Sequence, residues 1–316
     1  MKFKLIYGHH WNFGLAVEDS LMMLKYALEK LGHTADIERD FCPGEINIVQ
    51  EYFTDQYVKE INAAASKGIK FIIIATEIIT GDSFNQFEME KKIDQRYQDP
   101  LLNSTYWKER IKRVEFWENR YRNFLEIEKY SLATWHVFEG AVDEYKKALG
   151  HDRVFYLPHG FLDKMNKVTH RDDQHKDIDI LFTGMISEYR NEVLEKLKAK
   201  GLNVHCSHRL TPPFHRNDLI ARSKIAVHMK HYEGWPYPSP TRLYYHLVNN
   251  SLIVNENTDF TCDIQKYVEN TDDVAERCIQ IIEDGNYSAL AHENLERFKT
   301  EQKMEDIVAQ LLEKTM

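Results

Sequence analysis

Apolar positions fall in two rhythms along the chain. Short continuous runs recur at Phe3–Tyr7, Ile46–Val49, Gly68–Glu77, Leu132–Phe138, Arg153–Phe161, Asp177–Gly184, Lys224–Met229 and Ser251–Glu256. Runs of this kind read as strands buried on both faces, as in a parallel sheet. Thr34–Ile37 and Leu202–His205 add two shorter ones. Between them the apolar spacing lengthens to a helical stripe. Leu21, Leu24, Leu28 and Leu31 line a helix predicted over Val17–Leu31, closed by Gly32. Further helices are predicted over Asp55–Ser66, Glu139–Leu149, Ser187–Lys200, Arg216–Arg222, Asp263–Val268 and Asp272–Glu283, with a long helical tail over 287–316. The charged and aromatic stretch Glu88–Tyr130 is mostly helical by spacing and could be an insertion that binds a substrate.

Strand and helix therefore alternate twice, separated by the polar, patternless stretch Leu162–Lys176, which reads as a linker. The fold class this predicts is α/β, with two doubly wound Rossmann-like domains facing across a cleft. The divisions are 1–161 for the first domain, 162–176 for the linker, 177–295 for the second domain and 296–316 for a C-terminal helix.

The most informative stretch runs from Lys224 to Glu256 as strand, loop, helix and strand. Ser239 is a good N-cap, Pro240 suits the first helical position, and Asn249-Asn250 can end the helix in a left-handed residue. Arg242 then falls in the first turn, where a cation faces the positive end of the helix dipole. That placement becomes favourable when an anion such as a diphosphate sits there. Arg190 repeats the pattern after Gly184, whose missing side chain lets the backbone approach a ligand closely. Two such arginines at the C-terminal ends of parallel strands would converge on one crevice.

Composition narrows the partners. The chain has 316 residues, 43% of them hydrophobic and 29% charged, as in globular proteins that live in water. A net charge of −9 argues against broad binding to nucleic acid or anionic membrane. No run is long enough for stable membrane insertion, the N-terminus lacks a signal-peptide pattern, and four scattered cysteines without a CxxC suit reduced thiols. The expected location is cytoplasmic. Gly8 and Gly14 do not make a dinucleotide fingerprint, and there is neither a P-loop nor a GxSxG. His205, Cys206 and His208, and separately His228 and His231, lack the spacing of a closed zinc site, so no metal is expected.

The segment DLIARSKIAVHMKHYEGWPYPSPTRLYYHLVNNSLIVNE, with NTDDVAERCIQIIED after it, resembles the C-terminal domain of GT-B glycosyltransferases of the group 1 type. FTGMISEYRNEVLEKL resembles that family's strand–glycine–helix segment carrying an arginine. VFYLPHGF and FGLAVEDSLMMLKYALEKLGHTADI resemble parts of its N-terminal domain. The resemblance implies a nucleotide-sugar donor in the second domain, an acceptor (saccharide, small molecule or modified macromolecule) in the first, and no cofactor or metal. It also implies a last helix that crosses back to the first domain. Gly184, Arg190, Ser239, Thr241 and Arg242 would hold the diphosphate, and Tyr237 or Trp235 would shape the sugar site. Where many retaining members carry two glutamates eight positions apart, this chain has Tyr237 and Tyr245. Retention and inversion both stay open. So do a non-catalytic sugar-nucleotide-binding protein of the same fold and a transferase acting on modified nucleic acid. A periplasmic-type two-domain binding protein is disfavoured by the missing signal peptide.

An inverting enzyme needs a base near the acceptor hydroxyl. His10, His9 and Asp82 are the catalytic candidates, all at expected strand ends of the first domain. Histidine is favoured because it titrates near neutrality. Trp11, Glu77 and His159 are the acceptor-side candidates.

Overall fold

The computed structural model describes residues 1–8, 15, 17–51, 53–85, 114–207 and 211–316. His9, His10, Trp11, His208 and most of the 88–130 stretch lie outside the described residues.

The chain divides into two compact units, each built on one sheet. Among the described residues, 1–158 together with 304–316 form the first, and 159–303 form the second. The strands of the first sheet are β1 (Lys2–Ile6), β2 (Thr34–Glu38), β3 (Ile46–Gln50), β4 (Lys70–Ala75), β7 (Ala133–His136) and β8 (Val154–Tyr156). A two-stranded hairpin, β5 (Ile79–Thr80) with β6 (Ser83–Phe84), intervenes. The sheet order is β2-β1-β3-β4-β7-β8, and every pairing is parallel. Its helices are α1 (Glu18–Lys30), α2 (Asp55–Ser66), α3 (Val114–Glu128) and α4 (Val142–Leu149). The apolar run of β4 is buried from Phe71 to Ala75, as a central strand covered on both faces must be. The leucine stripe of α1 is buried at Leu21, Leu24 and Leu28.

The second unit carries β9 (Ile178–Thr183), β10 (Val204–Ser207), β11 (Ser223–His228), β12 (Leu252–Glu256) and β13 (Glu269–Thr271), in the order β10-β9-β11-β12-β13, again all parallel. Its helices are α5 (Glu188–Ala199), α6 (Pro213–Arg222), α7 (Pro240–Val248), α8 (Val274–Asp284) and α9 (Tyr287–Glu301). Successive residues of β9 point to opposite faces. Ile180 and Phe182 pack with Leu194 of α5 and Cys278 of α8, while Leu181 packs with Leu219 and Ile220 of α6. In both sheets the strand order reverses direction once, between β1 and β3 and between β9 and β11. Such switch points open a crevice at the C-terminal strand ends.

Two stretches differ from the sequence expectation. Residues 162–176 are not a bare linker but a packed part of the second unit. Met165 and Val168 are buried, and the side-chain oxygen of Asn249 accepts the backbone N–H of Lys167 at 2.6 Å and of Val168 at 3.0 Å. The tail is two helices rather than one. The chain breaks after α9, and only α10 (Met304–Thr315) belongs with the first unit. There Glu305 pairs with Lys30 at 2.8 Å, and the Trp135 indole donates to Thr315 at 3.0 Å. Among the described residues no helix is long and apolar enough to cross a membrane.

Candidate functional site

The switch point of the second unit gathers most of the residues singled out above. β9 ends at Thr183, and Gly184 follows with φ +136°, a backbone state that side chains rarely adopt. A Cβ at Gly184 would lie 2.7 Å from Arg242 Nη2, so glycine is what lets the guanidinium rest against this turn. α5 starts after Ser187, whose hydroxyl caps it by accepting the Arg190 N–H at 3.3 Å.

α7 starts at Pro240 without a side-chain cap; the Ser239 hydroxyl is not used that way. The Ser239 carbonyl instead accepts the N–H groups of Arg242 and Leu243, both at 3.1 Å. The helix closes on Asn250 at φ +56°, as the paired asparagines predict. Arg242 is part-buried, and its guanidinium makes no hydrogen bond or ion pair with any of the described residues. Burial pushes its pKa down to about 10, so it stays cationic at neutral pH.

Arg190 behaves differently. It is 6% exposed, and its donors are committed to backbone carbonyls. Nε donates to Met229 and Lys230 at 3.2 and 2.9 Å, Nη1 to Met185 at 2.8 Å, and Nη2 to Met229 at 2.7 Å. It ties the segment after β9 to the segment after β11. Burial and then the nearby Arg242 push its pKa down to about 9, with Glu256 opposing. Glu256, buried at the end of β12, accepts from the Tyr189 hydroxyl and from the Lys230 N–H at 2.7 Å.

Three histidines around this site are held neutral. His228 is kept well below its ordinary pKa by burial and by Arg242 and Arg190, and its Nδ1 sits 2.9 Å from the Asn255 amide oxygen. Burial and then Arg242 push His246 down to about 3. Burial pushes His159 down to about 4. His159 packs on the Tyr244 ring at 5.3 Å and lies 3.5 Å from the Thr241 hydroxyl, both within the second unit. Tyr237, in the loop leading to α7, stacks on Phe260 at 4.6 Å and 10°. Tyr245 points away from that loop: its hydroxyl donates to Asn217 at 2.6 Å and the Arg216 guanidinium covers its ring at 3.5 Å.

Two further candidates, Asp82 and Glu77, fall in the first unit. Asp82 is exposed at the tip of the β5–β6 turn. Glu77 is buried and paired with Arg120 at 2.6 Å. Sequence reading missed Glu256 and Tyr189, and also Asn191, whose buried amide oxygen has no partner among the described residues. The only signal for Glu256 was its place at the end of an apolar run. Among the described residues no group of three or more His, Cys, Asp or Glu is placed to hold a metal ion.

No protein-family model and no curated protein matches this chain. Solved structures do match. An alpha-glucosyltransferase in complex with UDP and a 13-mer DNA containing a HMU base is 7% identical, with 100% of this chain and 99% of that one covered and a TM-score of 0.59. AviGT4, a glycosyltransferase involved in avilamycin A biosynthesis, is 12% identical, with 100% and 97% covered and a TM-score of 0.52. The fold is GT-B. A UDP-N-acetylglucosamine 2-epimerase is also similar, at 9% identity, 99% and 95% coverage and a TM-score of 0.51. The GT-B architecture is therefore shared by enzymes that transfer a sugar and by one that epimerises it, and the reaction has to be argued from the site. The chain spans 58% of the TarM chain, at 11% identity and a TM-score of 0.49.

Proposed function

We propose that this protein is a glycosyltransferase that takes its sugar from a nucleotide-sugar donor. The observation that carries the reading is Arg242, a part-buried cation in the first turn of α7 with no partner among the described residues. Desolvating a charge is costly unless something opposite compensates it. A diphosphate bound at the start of α7 would do so, with the helix dipole adding to the guanidinium. Gly184 leaves room for the approach, while the Ser239 and Thr241 hydroxyls lie beside the same turn. Arg190 keeps the loops in place and adds positive field. The Tyr237–Phe260 pair offers an aromatic wall for the sugar nucleotide.

The chemistry follows from that binding. As the glycosidic carbon loses its diphosphate, negative charge grows on the leaving oxygen. A fixed guanidinium and a helix terminus stabilise that charge without reorganising, so the leaving group needs no metal ion. Acceptors consistent with this reading carry a hydroxyl, from saccharides to hydroxymethylated bases in DNA.

The test is a thermal shift with UDP, GDP, ADP and TDP. One of them is expected to raise the melting temperature, and Arg242→Ala is expected to abolish that rise while leaving the unliganded melting temperature within a few degrees. A wild-type protein indifferent to all four would refute the reading. Donor turnover with the matching sugar nucleotides then separates an enzyme from a binding protein.

A further inference from the structure

The C-terminal strand ends beneath α7 carry a row of polar side chains, all within the second unit. His228 ends β11 and stands in register with Asn255 of β12, which in turn stands in register with Asn270 of β13. Ala226 is in register with Leu181, and Leu181 packs with Tyr245 of α7, so Ala226 and His228 lie on the face that α7 covers. α7 packs on β11 and β12 and runs back from their C-terminal ends. Its first turn, with Arg242, therefore lies over the end of β11 where His228 sits.

Hydrogen bonds fix how each member of the row is turned. The Asn270 amide nitrogen donates to the carbonyls of Gln265 and Val268 at 2.7 and 3.1 Å, and a carbonyl can only accept. Asn270 thus presents its oxygen to Asn255, whose amide nitrogen donates to it at 2.8 Å. Asn255 in turn presents its oxygen to His228 Nδ1 at 2.9 Å. An amide oxygen has no proton to give, so Nδ1 carries the ring proton. In the neutral ring the other nitrogen, Nε2, is a bare acceptor.

The direction of that acceptor follows from the sheet order. β11 lies between β9 and β12, and the Nδ1 edge of the ring faces β12. The Nε2 edge therefore faces the β9 side, the switch point where Gly184 carries the Arg242 guanidinium. His228 is buried, and Nε2 makes no hydrogen bond with a described residue. Nor is Nε2 among the enclosed side-chain atoms that lack a partner, so an opening remains at this edge of the ring. Burial first, then Arg242 and Arg190, keep the ring uncharged. A bare nitrogen repels the unprotonated oxygens of a diphosphate. What suits it is an O–H group, and in a nucleotide sugar the hydroxyls of the ribose and of the sugar flank the diphosphate.

We propose that His228 Nε2 accepts a hydrogen bond from a hydroxyl flanking the diphosphate of the nucleotide sugar, and that Asn255 and Asn270 set the ring's tautomer for that task. The proposal rests on the nucleotide-sugar reading above. Arg242 would hold the charge of the ligand, and His228 would recognise a hydroxyl beside it. Sites built to pair a hydroxyl discriminate sharply against ligands that lack it, because the protein's own polar atom is then left unpaired.

The experiment uses the full chain labelled with ¹⁵N-histidine. Long-range ¹H–¹⁵N spectra of the free protein are expected to show His228 protonated on Nδ1 and bare on Nε2 from pH ~5 to ~8. UDP, GDP, ADP, TDP and their glucose conjugates are then added, with affinities read by calorimetry. The ligand that binds is expected to move the Nε2 resonance while the ring stays neutral. His228→Phe is expected to weaken it roughly fivefold or more. Equal losses for a diphosphate and its glucose conjugate assign the ribose hydroxyl, and a loss confined to the conjugate assigns the sugar. Asn255→Leu is expected to move the ring proton to Nε2, a signature that a packing defect alone would not give. A proton on Nε2 in the free protein, a ring that becomes doubly protonated on binding, or an unmoved Nε2 resonance with full affinity in His228→Phe overturns the proposal and leaves the nucleotide-sugar reading standing. A wild-type protein that binds none of the eight ligands sinks both.

Discussion

A methyl group at position 184 would fall 2.7 Å from the Arg242 guanidinium. Arg242 is the far end of a flexible side chain, so it would move rather than unfold the turn. The backbone at φ +136° adds strain on the order of 1–2 kcal/mol for a residue with a Cβ. Gly184→Ala is thus expected to weaken binding of whichever nucleoside diphosphate stabilises the protein at least tenfold, by calorimetry, while costing only about 1–2 kcal/mol in chemical denaturation. Equal affinity in the two proteins would mean that the guanidinium position does not matter. At this scale the sequence was legible where a residue stood in the wrong place by local rules. Arg242 is a cation where the helix dipole disfavours one, and that alone drew attention to it. Asn191 broke no such rule. Its interest comes from burial and from an amide oxygen without a partner among the described residues, which arise only once α5 packs on its sheet.

Secondary elements were legible in proportion to how much they bury. β4 and β12 carry continuous apolar runs, Phe71–Ala75 and Leu252–Val254, because both faces are covered, whereas the β5–β6 hairpin has two residues in each strand and leaves no period to detect. Residues 162–176 escaped recognition for another reason. They are positioned by backbone hydrogen bonds to one asparagine, which leaves no hydrophobic pattern. Asn249 accepts from Lys167 and Val168, donates to the Tyr245 carbonyl at 2.8 Å, and offers its own carbonyl to the His170 ring at 2.7 Å. Truncating it strands two N–H groups in a largely enclosed place, at ~1–3 kcal/mol for each that water does not reach. Asn249→Ala is expected to lower stability by about 2–4 kcal/mol. It should also open the segment to trypsin at the exposed Lys164 and Lys167. Unchanged cleavage would show that this asparagine is not what holds the segment.

At the scale of the whole molecule, two parallel sheets with one reversal each were foreseeable from the double alternation of strand and helix. The division between the units was not, because it depends on which helix lends its apolar face to which sheet. α10 buries Met304, Val308, Leu311 and Leu312 in the first unit. Side chains of that size contribute about 1.5–3 kcal/mol each when fully buried, an upper estimate that together rivals the stability of a whole domain. A chain stopped after Lys303 should therefore show fast amide hydrogen exchange in α1 and β7, while β9, β11 and β12 keep wild-type protection. Uniform loss across both sheets, or none, would contradict the division.

That division also sets an order of events during synthesis. The first unit precedes the second along the chain but takes a helix from residues 304–316. Those residues leave the ribosome only after His159–Lys303 have been made, an interval of roughly 7–30 s at ordinary translation rates. Through that interval the face of the first unit that receives α10 stays open to water, to chaperones and to other nascent chains. The second unit, contiguous from His159 to Lys303, has all of its described strands and helices as soon as Lys303 emerges. Of the two units, the one written earlier is the one that finishes folding later.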